Sequence, residues 1–100
     1  MVRHIILWQL KDEYSGAKCD EIKKGIKEGL EGLKGRIPGL IDIKVFTNGL
    51  SSSNADVMLE SSFESVEALK GYSGHPEHVA VADSAVRPFT KSRVCLDFEV

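Results

Sequence analysis

The 100-residue sequence has little of what marks several protein classes. It has two cysteines, three prolines and no apolar run long enough to span a bilayer, which argues against a disulfide-stabilised module and against a membrane-spanning chain. Its 13 basic and 15 acidic residues alternate without a stripe of one sign, which argues against binding to nucleic acid. We therefore expect one cytoplasmic globular domain, residues 1–100, with neither a nucleic-acid nor a membrane partner.

The two cysteines, Cys19 and Cys95, lie near opposite ends of the chain and form no CxxC motif. Without that spacing, a redox or metal role is disfavoured. We expect both to be reduced and packed in the core as small apolar residues, with a reactive cysteine as the alternative.

Apolar periodicity predicts a β-α-β-β-α-β order in which the second helical segment is broken. The predicted elements are a strand over Val2–Leu10, an amphipathic helix over Ala17–Arg36, strands over Leu40–Phe46 and Ala55–Phe63, helices over Val66–Tyr72 and Pro76–Val86, and a last strand over Ser92–Val100. This order is typical of the ferredoxin-like α+β fold, with a four-stranded antiparallel sheet and helices on one face.

The first and last strands predict how that sheet is covered. The first strand is apolar on both faces, so the face without helices needs a partner, and a homodimer is the simplest one. In the last strand, Val94, Leu96, Phe98 and Val100 alternate with polar residues and predict one well-buried face. In the first helix, Gly25, Gly29 and Gly32 recur at helical spacing and predict a close approach, which we expect the sheet to make.

Four segments, "VRHIILWQLKDE", "RIPGL", "SSFESVEALKGYSGHPEHV" and "LDFEV", together resemble the stress-responsive A/B barrel (Dabb) family. The most specific part is the motif carried by Phe63, Glu64, Ser65, Glu67, Tyr72, His75, Pro76 and His78. The resemblance implies a dimeric α+β barrel in which each subunit holds its own cavity between sheet and helices.

The resemblance also implies a candidate site. In a polyketide cyclase of this family, the working pair is the tyrosine and the last histidine of the motif, which correspond to Tyr72 and His78, and His4 matches a supporting histidine. Val57 stands where that cyclase has another histidine, and Leu30 stands where it has a tyrosine. These apolar residues, together with Phe63, Phe89 and Trp8, are expected to line the ligand pocket.

The chemistry of the residues agrees with a proton-transfer role. With Pro76 at the first helical position, His78 is third, where the helix dipole favours a neutral imidazole that can accept a proton. We expect His75 to cap this helix.

The predicted function is binding of a small carbonyl-bearing or aromatic metabolite, with cyclase- or lyase-like proton transfer and no organic cofactor.

Two other functions stay open at this point. The first is a non-catalytic ligand-binding or stress-protective oligomer, which the apolar Leu30 and Val57 favour. The second is haem or oxygen chemistry, which occurs in related dimeric barrels.

A cation is implied by the resemblance alone. Relatives hold one on backbone carbonyls at the end of the first helix, which would be those of Lys34, Ile37 and Leu40, and such an ion, for example Mg²⁺, would be structural. A metal site on His75 and His78 is disfavoured because no acidic residue is placed to complete it.

Overall fold

A computed structural model describes residues 1–100 as a four-stranded antiparallel sheet with helices on one face. The strands are β1 (Val2–Leu10), β2 (Leu40–Phe46), β3 (Val57–Phe63) and β4 (Thr90–Glu99), and the helices are α1 (Ala17–Glu31), α2 (Val66–Gly74) and α3 (Pro76–Val81). A π-helical turn (Ala82–Val86) and a 3-10 turn (Arg87–Phe89) follow α3 directly. The strand order is β2-β3-β1-β4, so the predicted ferredoxin-like fold is confirmed.

The core lies between the helices and one face of the sheet. In α1, Ile22, Ile26 and Leu30 are buried at four-residue spacing, so one stripe of the helix packs against the sheet. None of the helices combines the length and the apolar composition that crossing a membrane requires.

The predicted end of α1 is wrong, because the helix ends at Glu31 rather than Arg36. From this point the backbone forms i to i+3 hydrogen bonds, as from the Leu33 N–H to the Leu30 carbonyl at 3.1 Å. These tighter turns still bring Leu33 and Ile37 into the core, so their periodicity alone could not distinguish them from a continued helix.

The predicted contact between the glycines and the sheet is also wrong. A Cβ atom on Gly25 would meet nothing within 4 Å, and one on Gly29 would lie 2.9 Å from Val81 Cγ1. A Cβ on Gly32 would lie 3.0 Å from the Glu28 carbonyl of the same helix. The close approach is therefore made by α3 at Gly29 alone.

Two caps set the positions of the short helices. The Ser65 side chain accepts a hydrogen bond from the Ala68 N–H at 3.1 Å at the start of α2. His75 Nδ1 accepts one from the Glu77 N–H at 3.2 Å at the start of α3, as predicted. These caps hold the chain between Tyr72 and His78 in a fixed bend between the two helices.

The sheet face opposite the helices has no cover within the chain. Val94 and Leu96 are each 65% exposed and Val100 is 62% exposed. The prediction that this face of β4 is well buried is therefore wrong for a single chain. Alternating apolar residues indicate a face that needs to be covered. They do not indicate whether the same chain or a second chain covers it.

Candidate functional site

A cavity of about 350 Å³ lies between the helices and β1. This volume lies in the range of small-molecule sites in proteins. Its lining comes from both layers and comprises His4, Ile6, Trp8, Leu30, Leu59, Tyr72, Ser73, His78, Ala82, Val86, Arg87 and Arg93. The depressions elsewhere on the surface that involve Phe46 and Phe98 are more open to solvent.

Tyr72 places a buried polar group at this cavity. The residue is 1% exposed, and its ring packs against Phe63 with the ring centroids 4.9 Å apart. Its hydroxyl is buried and makes no hydrogen bond within the protein. Burial raises the pKa of Tyr72 well above its ordinary value of 10.0, so the group stays protonated and can donate a hydrogen bond.

His78 lies against Tyr72, with the two ring centroids 4.1 Å apart. Desolvation by burial lowers the pKa of His78 below its ordinary value of 6.5, against the opposing effect of its hydrogen bond to the Ser73 carbonyl. His78 Nδ1 lies 3.2 Å from that carbonyl oxygen, which can only accept, so Nδ1 carries the proton. The neutral ring therefore keeps a free lone pair on Nε2, which can act as a base.

His4 is the third polar residue at the cavity and comes from strand β1 of the sheet. Its ring centroid lies 6.1 Å from that of Tyr72 in an edge-on arrangement, and the residue is 5% exposed. His4 Nδ1–H donates a hydrogen bond to the Asp97 carboxylate of β4. This bond fixes the ring orientation and leaves Nε2 free of the carboxylate. The structure thus brings together the three predicted catalytic residues, His4, Tyr72 and His78.

His4, Cys95 and Asp97 form the cluster best suited to a metal, with one ligand atom of each within 4.8 Å of the others. The cluster also bonds internally, because the Cys95 thiol donates to the Asp97 carboxylate at 3.4 Å. Burial and the Asp97 carboxylate raise the pKa of Cys95, so its thiol holds its proton more tightly than an ordinary cysteine does. The positive Arg93 side chain, which acts on Cys95, further opposes cation binding here.

Both cysteines are free, but only one packs against the core. Cys19 is partly buried there, whereas Cys95 is exposed on the outermost strand. The prediction of a core position for Cys95 is therefore wrong, because the helices do not cover the edge of the sheet where β4 lies.

The five predicted pocket residues divide into two groups. Trp8 and Leu30 line the cavity. Val57 is buried in the core without lining it, and Phe63 lies behind the Tyr72 ring. Phe89 packs edge-on against Tyr14, with the ring centroids 5.8 Å apart, away from the lining.

The predicted cation ligands lie in the turn after α1 and at the first residue of β2. The Ile37 carbonyl there accepts a hydrogen bond from the Leu40 N–H at 3.2 Å. Lys34 Nζ pairs with Asp42 at 3.2 Å on the surface. A cation on the carbonyls of Lys34, Ile37 and Leu40 stays a prediction from the family resemblance.

Two arginines at the cavity were not among the predicted site residues. Arg87 comes from the 3-10 turn, and Arg93 stands opposite Trp8 in the pairing of β4 with β1. The alternation of residues along β4 could have indicated Arg93. Trp8 faces the helices, and Arg93, its neighbour on the adjacent strand, must face the same way.

The family model for the stress responsive A/B barrel domain matches residues 2–100. The chain is 30% identical to olivetolic acid cyclase from Cannabis sativa, covering 97% of this chain and 94% of the relative. Among solved structures, it is similar to a dimeric ferredoxin-like protein from Bacteroides fragilis, with a TM-score of 0.92, 30% identity and coverage of 99% and 95% of the two chains.

A dimeric ferredoxin-like protein from Thermobifida fusca has the same fold, with a TM-score of 0.78, 22% identity and coverage of 99% and 90% of the two chains. At this lower identity, the likeness concerns the fold alone. The fold, the cavity and the match along almost the whole sequence agree, and the chain therefore belongs to the stress-responsive A/B barrel family.

Proposed function

We propose that this protein binds a small carbonyl-bearing or aromatic metabolite in the cavity and transfers a proton on it, as a cyclase or lyase does, without an organic cofactor. The observation that carries the proposal is the buried Tyr72 hydroxyl, which lacks a hydrogen-bond partner beside a neutral imidazole. The 30% identity to olivetolic acid cyclase supports cyclase-like chemistry.

The Tyr72 hydroxyl favours a ligand oxygen as its partner. A buried hydroxyl without a hydrogen bond costs about 1–3 kcal/mol. A carbonyl oxygen that accepts from Tyr72 would recover part of this cost when the ligand binds. Because the raised pKa keeps the phenol protonated, the same bond would stabilise negative charge that develops on that oxygen.

His78 would supply the base. Its Nε2 takes a proton from the carbon next to the ligand carbonyl, and the electron pair of the broken C–H bond moves onto the carbonyl oxygen as an enolate. Tyr72 donates a hydrogen bond to that oxygen. In a cyclase, the enolate carbon then attacks a second carbonyl of the ligand, a C–C bond forms, and the resulting alkoxide takes the proton back from His78, so the ring ends the cycle neutral. In a ligand without a second carbonyl, the proton returns to the same carbon, which is measured as hydrogen exchange.

His4 has a positioning role in this scheme. Its ring is held by Asp97 and lies edge-on to Tyr72 and to Phe63, at centroid distances of 6.1 and 6.3 Å. It thereby limits where Tyr72 can move and presents a second imidazole to the cavity.

Exchange of carbon-bound hydrogen tests this function without knowledge of the natural substrate. A panel of small aryl methyl ketones, with acetophenone as the first member, is incubated in heavy water, and loss of the methyl signal is followed by proton NMR. We expect the wild type to accelerate exchange for members that bind and His78→Gln to abolish the acceleration.

His75→Asn is the matched control. It removes the neighbouring imidazole but keeps a side chain suited to capping α3, so we expect it to retain the wild-type rate. Equal exchange with the wild type and with His78→Gln would refute the role of His78.

A second candidate function is ligand binding without reaction, which the apolar lining at Leu30 and Leu59 favours. Trp8 is the single tryptophan of the chain and lines the cavity, so its fluorescence reports ligand entry. Quenching of Trp8 in both the wild type and His78→Gln, with no exchange by either, would favour this second function.

We propose further that the working unit is a homodimer joined through the uncovered sheet face. The exposed apolar side chains of that face, Leu7, Phe46, Val94, Leu96 and Phe98, support a sheet-to-sheet contact. The related proteins from Bacteroides fragilis and Thermobifida fusca are dimeric, which supports the same assembly.

A further inference from the structure

We infer that the ligand of this cavity carries a carboxylate group and that Arg93 binds it. This inference rests on the proposed function, because it names the class of molecule that the cavity takes up. Nothing in the proton-transfer scheme itself requires an anion, so the charge of the cavity supplies independent information.

The lining of the cavity is one-sided in charge. Its twelve residues include two arginines but no aspartate or glutamate. The chain as a whole has 15 acidic and 13 basic residues, so this site lacks the slight acidic excess of the chain. A concave site lined by positive charge attracts an anion.

Arg93 differs from the other arginines of the chain. Arg3 pairs with Glu60, Arg36 pairs with Glu77, and Arg87 pairs with Asp83. The Arg93 guanidinium has no carboxylate within 4.0 Å. Arg93 also lines the cavity. It is therefore the cationic group at the site without a carboxylate partner, and its polar neighbour is the Cys95 thiol.

The count of free charges favours a carboxylate over a phosphate. Asp83 neutralises Arg87, and the lowered pKa of His78 leaves that ring uncharged. One free positive charge remains, which matches a single negative charge. The planar guanidinium also fits a carboxylate with two parallel hydrogen bonds. The apolar remainder, Ile6, Trp8, Leu30, Leu59, Ala82 and Val86, suits a hydrocarbon or aromatic body.

The position of Arg93 places the anion-binding group close to the proton-transfer group. Arg93 pairs with Trp8, and Cys95 and Asp97 follow it on the same face of β4, opposite Ile6 and His4. The Arg93 side chain acts on Cys95, and its charge also acts on Tyr72 and His78. The carboxylate would therefore bind near the residues that hold the reacting carbonyl, so one small molecule can carry both groups.

Two matched probes test the inference. 4-Acetylbenzoate carries an aryl methyl ketone and a carboxylate, and 4-acetylbenzamide replaces the carboxylate with a neutral amide of similar shape. Dissociation constants for both are measured by quenching of Trp8 fluorescence and checked by calorimetry. We expect the wild type to bind the benzoate about tenfold more tightly, since a hydrogen bond to a charged group contributes more than one between neutral groups.

Substitutions test whether Arg93 causes the preference for the benzoate over the benzamide. Arg93→Gln should abolish the benzoate preference, and Arg93→Lys should retain part of it because charge remains without the planar fork. Lys91→Gln is the control, since it removes a positive charge two residues away in the same strand from a side chain that pairs with Asp12. It should leave both constants unchanged.

Each result separates this inference from the proposed function. Equal binding of the two probes, or a benzoate preference that survives in Arg93→Gln, would overturn the carboxylate inference and leave the proposed function standing. If neither probe quenched Trp8, both would be overturned. Quenching by both probes with a preference that Arg93→Gln removes would support the carboxylate inference and ligand binding in this cavity, and the exchange assay decides whether a proton is transferred.

Discussion

Each face of the sheet departs in one respect from the usual distribution of polar and apolar groups. The face toward the helices is closed, yet it carries His4 and meets Tyr72 and His78 across a cavity. The face toward solvent is open, yet it exposes large apolar side chains such as Leu96 and Val94. A protein that only needed to fold would place these groups the other way round. The polar groups inside are suited to a ligand, and the apolar groups outside are suited to a second chain.

The largest effect is expected on the open face, with Leu96→Lys. Leu96 stands opposite Ile5 on β1 and would occur once from each subunit in a symmetric interface. Loss of about 1.5–3 kcal/mol of apolar burial from each copy corresponds to a dimer weakened by at least about 100-fold. Light scattering of the wild type should give twice the chain mass of 11.0 kDa, and the variant should give the mass of one chain.

Leu50→Lys is the matched control for this substitution. Leu50 is 79% exposed but lies in the loop between β2 and β3, outside the uncovered sheet face. It should leave the dimer intact. A dimeric Leu96→Lys protein would refute the proposed interface.

A smaller effect of a different kind is expected inside the cavity, with Tyr72→Phe. Removing a buried hydroxyl that has no partner should leave the free energy of unfolding unchanged or raise it by up to about 1 kcal/mol. The same change should weaken ketone binding about tenfold, because one hydrogen bond to the ligand is lost.

Urea unfolding and Trp8 fluorescence measure these two quantities. Tyr14→Phe, at a tyrosine that packs on Phe89 outside the cavity, should change neither of them. A large loss of stability in Tyr72→Phe would show that the hydroxyl serves the fold rather than a ligand.

The smallest effect is expected on the pH dependence of stability, through the titration of His78. Burial lowers its pKa below 6.5, and the nearby charges of Arg87 and Arg93 act in the same direction. Below pH 6.5 the unfolded chain binds a proton at this residue before the folded protein does. The free energy of unfolding should therefore fall as the pH drops from 6.5 toward the lower folded pKa.

His78→Gln should remove this fall in the free energy of unfolding between pH 6.5 and the lower folded pKa.

The rate of ketone hydrogen exchange by the wild type should reach half of its maximum at a pH below the ordinary imidazole value of 6.5. A midpoint at or above that value would contradict a desolvated base.

The fold was predictable because its signals are local and repeated. The period of α1 and the strand pattern of β1 follow directly from Ile22, Ile26 and Ile6, each of which is buried where the pattern predicts. The limits of α1 were not predictable, because the i to i+3 turns after Glu31 keep Leu33 and Ile37 buried as a continued helix would.

The site was predictable only in part. The motif indicated Tyr72 and His78, and the cap by His75 followed from its place before Pro76. The closeness of His4 to Asp97 depends on the register between β1 and β4, which periodicity does not fix. Whether an arginine of the cavity is paired depends on the three-dimensional packing, because an acidic residue reaches Arg87 and none reaches Arg93.

The buried Tyr72 hydroxyl is proposed to donate a hydrogen bond to a ligand oxygen. A crystal structure of the protein with bound 4-acetylbenzoate shows whether it does. We expect the ketone oxygen within hydrogen-bonding distance of Tyr72 Oη, with the methyl carbon facing His78 Nε2. A ligand bound elsewhere, or one in the cavity with its ketone turned away from Tyr72, would refute this role of the hydroxyl.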